Sequence, residues 1–302
     1  MNGVEVSFPG LGWTFNISPV AFSIGGVEIY WYGLLIALAM LLCVGLGLKH
    51  AKANNFSQDL IYDIMIVAIP GAIVGARLYY VLCEWDYYSQ DLKRIFDTRS
   101  GGLAVYGGII GAYLAAFIML RIRKIPFTTC ADYCIVYVPL GQAIGRWGNF
   151  FNQEAFGTTT TLPWGMTSET VSDYLSRNCP NLDSSMPVHP TFFYEFTINI
   201  ALFFFLLWVR KHSKYAFETT SVYMIVYGIA RFFLEGLRTD SLYLGNTAIR
   251  TSQLLSLILV VFGLLYIAYA QYNDRERLPL PERLFETQAT VKKENKEKKE
   301  TK

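Results

Sequence analysis

Residues 28–48 read EIYWYGLLIALAMLLCVGLGL, and the twenty residues after Glu28 carry no charge. A helix rises about 1.5 Å per residue and a bilayer core is about 30 Å thick, so about 20 apolar residues span it. Comparable runs recur along the chain. Seven spans are expected: Glu28–Leu48, Leu60–Cys83, Gly102–Leu120, Cys130–Asn149, Thr191–Val209, Thr220–Leu237 and Thr251–Gln271. The expected fold is an all-α polytopic membrane protein. The fourth span is irregular, with Pro139, Gly141, Gly145 and Gly148 and a polar end. Backbone of that kind is tolerated at membrane depth where protein or a wet cavity surrounds it.

The composition agrees. Of 302 residues, 53% are hydrophobic and only 17% charged, against about 25% charged in a typical soluble domain. That excludes an ordinary soluble enzyme, a disordered chain and a secreted disulfide scaffold. Lysine and arginine number 26 against 24 acidic residues, so no general attraction to nucleic acid is expected. Cys43, Cys83, Cys130 and Cys134 lie in or beside apolar runs, and Cys179 sits in a polar loop. No Cys/His cluster has zinc spacing, so neither a metal nor another cofactor is expected.

Basic residues in the short loops give the orientation. The first 27 residues have none. Lys49 and Lys52, then Arg121, Arg123 and Lys124, then Arg210, Lys211 and Lys214 fall on one side, together with nine basic residues from Arg275 to Lys302. The N-terminus is therefore expected outside and the C-terminus in the cytoplasm. Residues 1–27 form an external segment, 28–271 the membrane domain with an external insert at 150–190, and 272–302 a charged tail. The first apolar segment lacks a positive n-region and is expected to be retained rather than cleaved. The tail, ending KKENKEKKETK, is expected to be disordered, with lysines suited to anionic lipid.

Ionisable residues inside spans cost a few kcal/mol each at mid-helix and mark a site by default. They are Arg77, Arg146, Glu195, Arg231 and Glu235, with Asn149 and Glu154 just beyond a span. All lie toward the outer ends of their spans and are expected to share one cavity. Four stretches carry them or flank them. Gly145–Gly157, GRWGNFFNQEAFG, offers the Arg146 donor fork, suited to phosphate or carboxylate, beside Asn149, Asn152, Gln153 and Glu154. Tyr227–Asp240, YGIARFFLEGLRTD, sets Arg231 and Glu235 one turn apart on one face, with Tyr227 a turn earlier. Gly101–Ala112, GGLAVYGGIIGA, has Gly107 and Gly111 spaced for close helix packing and Tyr106 beside them. His189–Glu195, HPTFFYE, starts a helix whose Glu195 needs a cationic partner, the arginines being candidates. The first span adds Tyr30, Trp31 and Tyr32, which also suit an interfacial aromatic belt.

Together these motifs resemble the bacterial prolipoprotein diacylglyceryl transferase family. The resemblance runs from about Val27 to Ala270, and GRWGNFFNQEAFG is its most specific part, with WYGL, HPTFFYE and RFFLEGLR in the expected order. It implies transfer of the diacylglyceryl group of phosphatidylglycerol to the lipobox cysteine thiol of a prolipoprotein. A thioether forms and glycerol phosphate leaves, in the first step of lipoprotein maturation. It implies a multi-pass protein of the bacterial cytoplasmic membrane, with phosphatidylglycerol and prolipoprotein signal peptides as partners. It implies roles for Tyr32, Arg146, Asn149, Glu154, Gly157, Arg231 and Glu235, with Tyr227 nearby; His189 and Glu195 are added on the substrate side. Many members have His in the glycine-rich motif where this chain has Tyr106. A phenol, with an ordinary pKa about 10, is a poor base.

The residue types fit that chemistry. Arg146 and Arg231 can hold a lipid phosphate and stabilise charge growing on it as it leaves. The thiol must lose its proton, because thiolate is the nucleophile. Glu154, Glu235, Tyr106 or a water they hold are the candidates. The rival function is a transporter or flippase for an anionic lipid. Against it, no internal repeat is visible and the polar residues cluster toward one side rather than at the midplane.

Overall fold

The computed structural model describes residues 3–97, 101–244 and 247–273. Their contacts divide them into two compact units. The first comprises the described residues of Met1–Leu46 and Asp132–Pro279, the second those of Gly47–Ala131.

The first unit opens with strands. β1 (Val4–Phe8) pairs antiparallel with β2 (Trp13–Ile17), and β3 (Val20–Ile24) with β4 (Val27–Tyr30). Gly25 and Gly26, both at positive φ, close the second hairpin in two residues, the geometry that matches strand twist. The expectation of an all-α chain is corrected here. The chain is mostly helical, but residues 4–30 alternate and turn as strands do. The first helix therefore starts at Trp31, not at Glu28: α1 spans Trp31–Ala51.

The second unit holds α2 (Gln58–Cys83), the short α3 (Trp85–Tyr88) and α4 (Val105–Ile122). Gly71 and Gly75 on α2 face Gly107 and Gly111 on α4, where an added Cβ at 75 would stand 2.4 Å from the Gly107 carbonyl oxygen. The two backbones thus touch, and small residues are required there. Arg77, on α2, is 6% exposed. Its Nε donates to the Ile95 carbonyl, Nη1 to Gly101 and Gly102, and Nη2 to Arg94 and Asp97, at 2.6–3.0 Å. A guanidinium has five N–H donors, and all five are spent on the loop before α4. Tyr88 covers its face at 5.0 Å. The expected assignment of Arg77 to a ligand cavity is corrected: it is a bracket for its own loop.

The first unit resumes at Asp132, within α5 (Phe127–Cys134). A 3-10 turn over Ile135–Tyr137 joins α5 to α6 (Val138–Asn152), with Pro139 in the first turn of α6, where its missing N–H costs nothing. The expected fourth span is thus a broken helix. Asp132, fully buried, accepts from the backbone N–H of Phe217 and Thr220 and from the Thr220 hydroxyl. It thereby caps α9 (Glu218–Leu237) across 85 residues. The unit is completed by β5 (Thr167–Ser168), α7 (Glu169–Asn178), α8 (Thr191–His212) and α10 (Thr251–Tyr272).

β5 pairs with β1, so the insert and the N-terminal segment share one three-stranded sheet. Val6, Phe150, Phe156, Met166, Val171, Leu175, Val188 and Phe192 form its core. Among the described residues, five helical stretches are long and apolar enough to cross a membrane: Trp31–Asn54, Gln58–Cys83, Val105–Ile122, Thr191–His212 and Thr251–Tyr272. The other two expected spans are helical, but α6 is short and α9 carries the ionisable residues described next. The expected tail, from residue 274 onward, lies outside the described residues.

Candidate active site

Three helices of the first unit bring the ionisable residues together. α6 carries Arg146, α8 carries Glu195 near its start, and α9 carries Tyr227, Arg231 and Glu235. Glu195 sits between the arginines: Arg146 Nη2 is 2.6 Å from its Oε2, and Arg231 Nη1 is 2.9 Å from its Oε1. Arg231 Nη2 is also 2.6 Å from Glu235 Oε2. The side chains of Glu195 and Glu235 are 3% and 2% exposed, those of Arg231 and Arg146 13% and 20%. Two buried carboxylates between two guanidiniums are electrically balanced, which is what burial of charge requires. The arginines are the more open members of the cluster.

The network continues through the α6 motif. Arg146 Nη1 donates to Asn149 Oδ1 at 3.2 Å, and Asn149 Nδ2 donates to Glu154 Oε1 at 2.8 Å. Asn152 Nδ2 reaches the same oxygen at 3.2 Å, and Glu154 is exposed. Gln153 and Ala155 are in the left-handed region at φ 53° and 57°, a local cost of about 1–2 kcal/mol each. The turn is fixed by Gln153, whose Nε2 donates to the Phe150 carbonyl while its Oε1 accepts from the Ser168 hydroxyl. α6 therefore ends abruptly and Glu154 is delivered back toward Asn149.

Tyr32 meets the same motif. A Cβ at Gly148 would lie 2.5 Å from its ring, so glycine is what lets α1 and α6 approach there. Trp31 beside it stacks on Phe151, centroids 4.9 Å apart. Tyr227 lies near Arg146, Arg231 and Glu195.

Gly157 and His189 form an adjoining layer. The Gly157 N–H donates to the His189 carbonyl at 2.9 Å, and a Cβ at 157 would be 2.7 Å from His189 Cβ. Close packing accounts for this glycine. His189 Nδ1 is 3.1 Å from Tyr194 Oη, which also accepts from Trp164 Nε1 at 2.7 Å. Burial pushes the His189 imidazole below its ordinary pKa. Tyr106 is in the other unit, on the first turn of α4 and 45% exposed.

Two arginines escaped the reading of residue types. Arg238 makes a bidentate pair with Asp240, at 2.9 and 2.8 Å, and the chain at Arg238 bridges to Gly157. Thr158 N–H donates to the Leu237 carbonyl and Thr239 N–H to that of Phe156, so the insert is stitched to the end of α9. Arg250 donates to the Glu235 carbonyl. The signal for Arg238 was its place in the α9 motif; Arg250 lies outside any motif. Among the described residues no group of three or more His, Cys, Asp or Glu is placed to hold a metal.

A model of the prolipoprotein diacylglyceryl transferase family matches residues 19–269. Three relatives bear the name phosphatidylglycerol–prolipoprotein diacylglyceryl transferase. The protein of Finegoldia magna is 47% identical over 247 residues, 82% of this chain and 93% of that protein. That of Clostridioides difficile is 42% identical, covering 86% and 98%. That of Ligilactobacillus salivarius is 42% identical, covering 85% and 95%. Broken α6, the bridged arginines and the stitched insert all fall within the matched region, and the chain belongs to the prolipoprotein diacylglyceryl transferase family.

Proposed function

We propose that this integral membrane protein transfers the diacylglyceryl group of phosphatidylglycerol to the lipobox cysteine of prolipoproteins. The observation that carries the reading beyond family membership is the Glu195 bridge between Arg146 and Arg231. Two guanidinium forks tied to one carboxylate suit a single phosphate. In the reaction, sulfur attacks the diacylglyceryl carbon that bears the phosphate ester. The C–O bond breaks, its electron pair stays on glycerol phosphate, and a C–S bond forms. Arg146 and Arg231 bind the phosphate and stabilise its growing charge. Glu195 and Glu235 orient the two forks. Glu154, exposed and joined through Asn149 to Arg146, takes the thiol proton; Tyr106 is the alternative carrier. Tyr32, Tyr227, Gly157 and His189 shape the substrate side.

The five apolar helical stretches, with α6 and α9, make seven passes in this reading, with the N-terminus outside and the C-terminus cytoplasmic. Residues 28–271 then form the catalytic membrane domain of a multi-pass protein of the bacterial cytoplasmic membrane, and 272–302 its tail. Both substrates are membrane-borne and enter laterally between helices.

The test is reconstitution of purified protein with phosphatidylglycerol and a lipobox peptide. A diacylglyceryl mass gain with matching release of glycerol phosphate is expected. Folded protein that gives neither product defeats the proposal. Tyr106→Phe and Glu154→Gln then separate the two proton carriers, since only the true one abolishes the thiolate-dependent rate.

A further inference from the structure

Nearer the starts of α6 and α9 than the ion pairs lies a second polar contact. Gln142 precedes Arg146 by four residues on α6, and Tyr223 precedes Tyr227 by four on α9. Gln142 Nε2 donates to Tyr223 Oη at 3.0 Å. The Tyr223 ring is stacked on that of Tyr227, centroids 5.2 Å apart and planes 6° from parallel. Tyr227 in turn lies near Arg146, Arg231 and Glu195. A continuous line of contacts therefore runs from Gln142 to the arginine pair.

The arrangement of helices gives that line a purpose. α6 and α9 each pack on α8, which supplies Glu195. The bridge through Glu195 links the two arginine-bearing helices at the level of the ion pairs. The Gln142–Tyr223 hydrogen bond is a second tie, one turn (about 6 Å) before Arg146 on α6 and two turns (about 12 Å) before Arg231 on α9. Tyr223 is 8% exposed, and a hydrogen bond in such surroundings has little water to compete with it. The stack passes the restraint to the Tyr227 ring.

We propose that Gln142 and Tyr223 are positioning residues, holding Tyr227 and the spacing of Arg146 and Arg231 for the transfer. This rests on the transferase reading above. Neither residue touches substrate; both act through Tyr227 and the helices.

The experiment is a double-mutant cycle on the full-length protein in phosphatidylglycerol vesicles with a lipobox peptide. Gln142→Leu and Tyr223→Phe are each expected to lower kcat about fivefold, the worth of one neutral hydrogen bond. KM for phosphatidylglycerol is expected to stay within about twofold. The double variant is expected to be no slower than either single one, because both changes remove the same interaction. Tyr223→Phe keeps the stacked ring and carries the test should Gln142→Leu fail to fold. Parental kcat in folded Tyr223→Phe, or single losses that multiply in the double variant, overturns the inference. An inert parent defeats the transferase reading and this inference with it, whereas an active parent with unaffected variants removes only the inference.

Discussion

Arg77 and Arg231 lie in long helices, both largely buried, and their hydrogen bonds could hardly differ more. Arg77 spends five donors on backbone carbonyls of one loop. Arg231 is hydrogen-bonded to Glu195 and ion-paired with Glu235, and Glu195 is shared with Arg146. Carbonyls saturate a guanidinium and leave it with a structural task. Carboxylates orient it and balance its charge, while its remaining donors can face an anion. An arginine at membrane depth is therefore a prompt to inspect its partners, not itself a mark of function.

The sharpest way to break this contrast is to remove each arginine. Arg146→Ala and Arg231→Ala are expected to lower turnover by about 100-fold or more, the usual cost of losing a donor to developing charge. Near-full turnover in either folded variant, in the reconstituted assay, would sink the phosphate clamp. Glu195→Ala strips both arginines of their bridge and buries unbalanced charge, so a loss of about 3–5 kcal/mol of stability is expected. A shift in thermal melting would reveal it, and an unshifted melt would mean water or another carboxylate replaces Glu195.

Arg77→Lys sharpens the other side. Lysine has three donors on a flexible stem in place of five in a plane. Melting temperature is expected to fall, while turnover per folded molecule stays within about twofold, as for a change away from the chemistry. A selective loss of turnover at unchanged stability would return Arg77 to the active site.

The smallest effect concerns His189. Because burial lowers its pKa, the unfolded chain binds the proton more readily than the folded one. Its contribution is then present above the ordinary histidine pKa, about 6.5, and fades as pH falls below it. His189→Gln is expected to flatten the decline in melting temperature between about pH 7 and pH 5 that the parent owes to this group. An identical decline in both proteins would show that His189 does not couple to stability.

Much of this was legible before any coordinates. Runs such as residues 31–48 announce helices, because only a helix satisfies its backbone within an apolar segment of that length. The four-residue step from Arg231 to Glu235 announced an ion pair, because 3.6 residues make a turn. The motifs around Arg146, Glu195 and Arg231 announced the family.

Other features depended on partners distant in the chain. Val4–Phe8 is too short to declare itself a strand, and Thr167–Ser168, which pairs with it, stands some 160 residues away. Asp132 became a helix cap only when Phe217 and Thr220 reached it. Glu195 called for a cation, but only packing of α6 and α9 on α8 decided that it would take two. Gln142 gave no local sign of its tie to Tyr223. Sequence determines what depends on neighbours within a turn or along an apolar run: helix, membrane affinity, local pairing and family. Tertiary structure alone decided which buried charge meets which, because that depends on side-chain distances of about 3 Å between helices far apart in the chain.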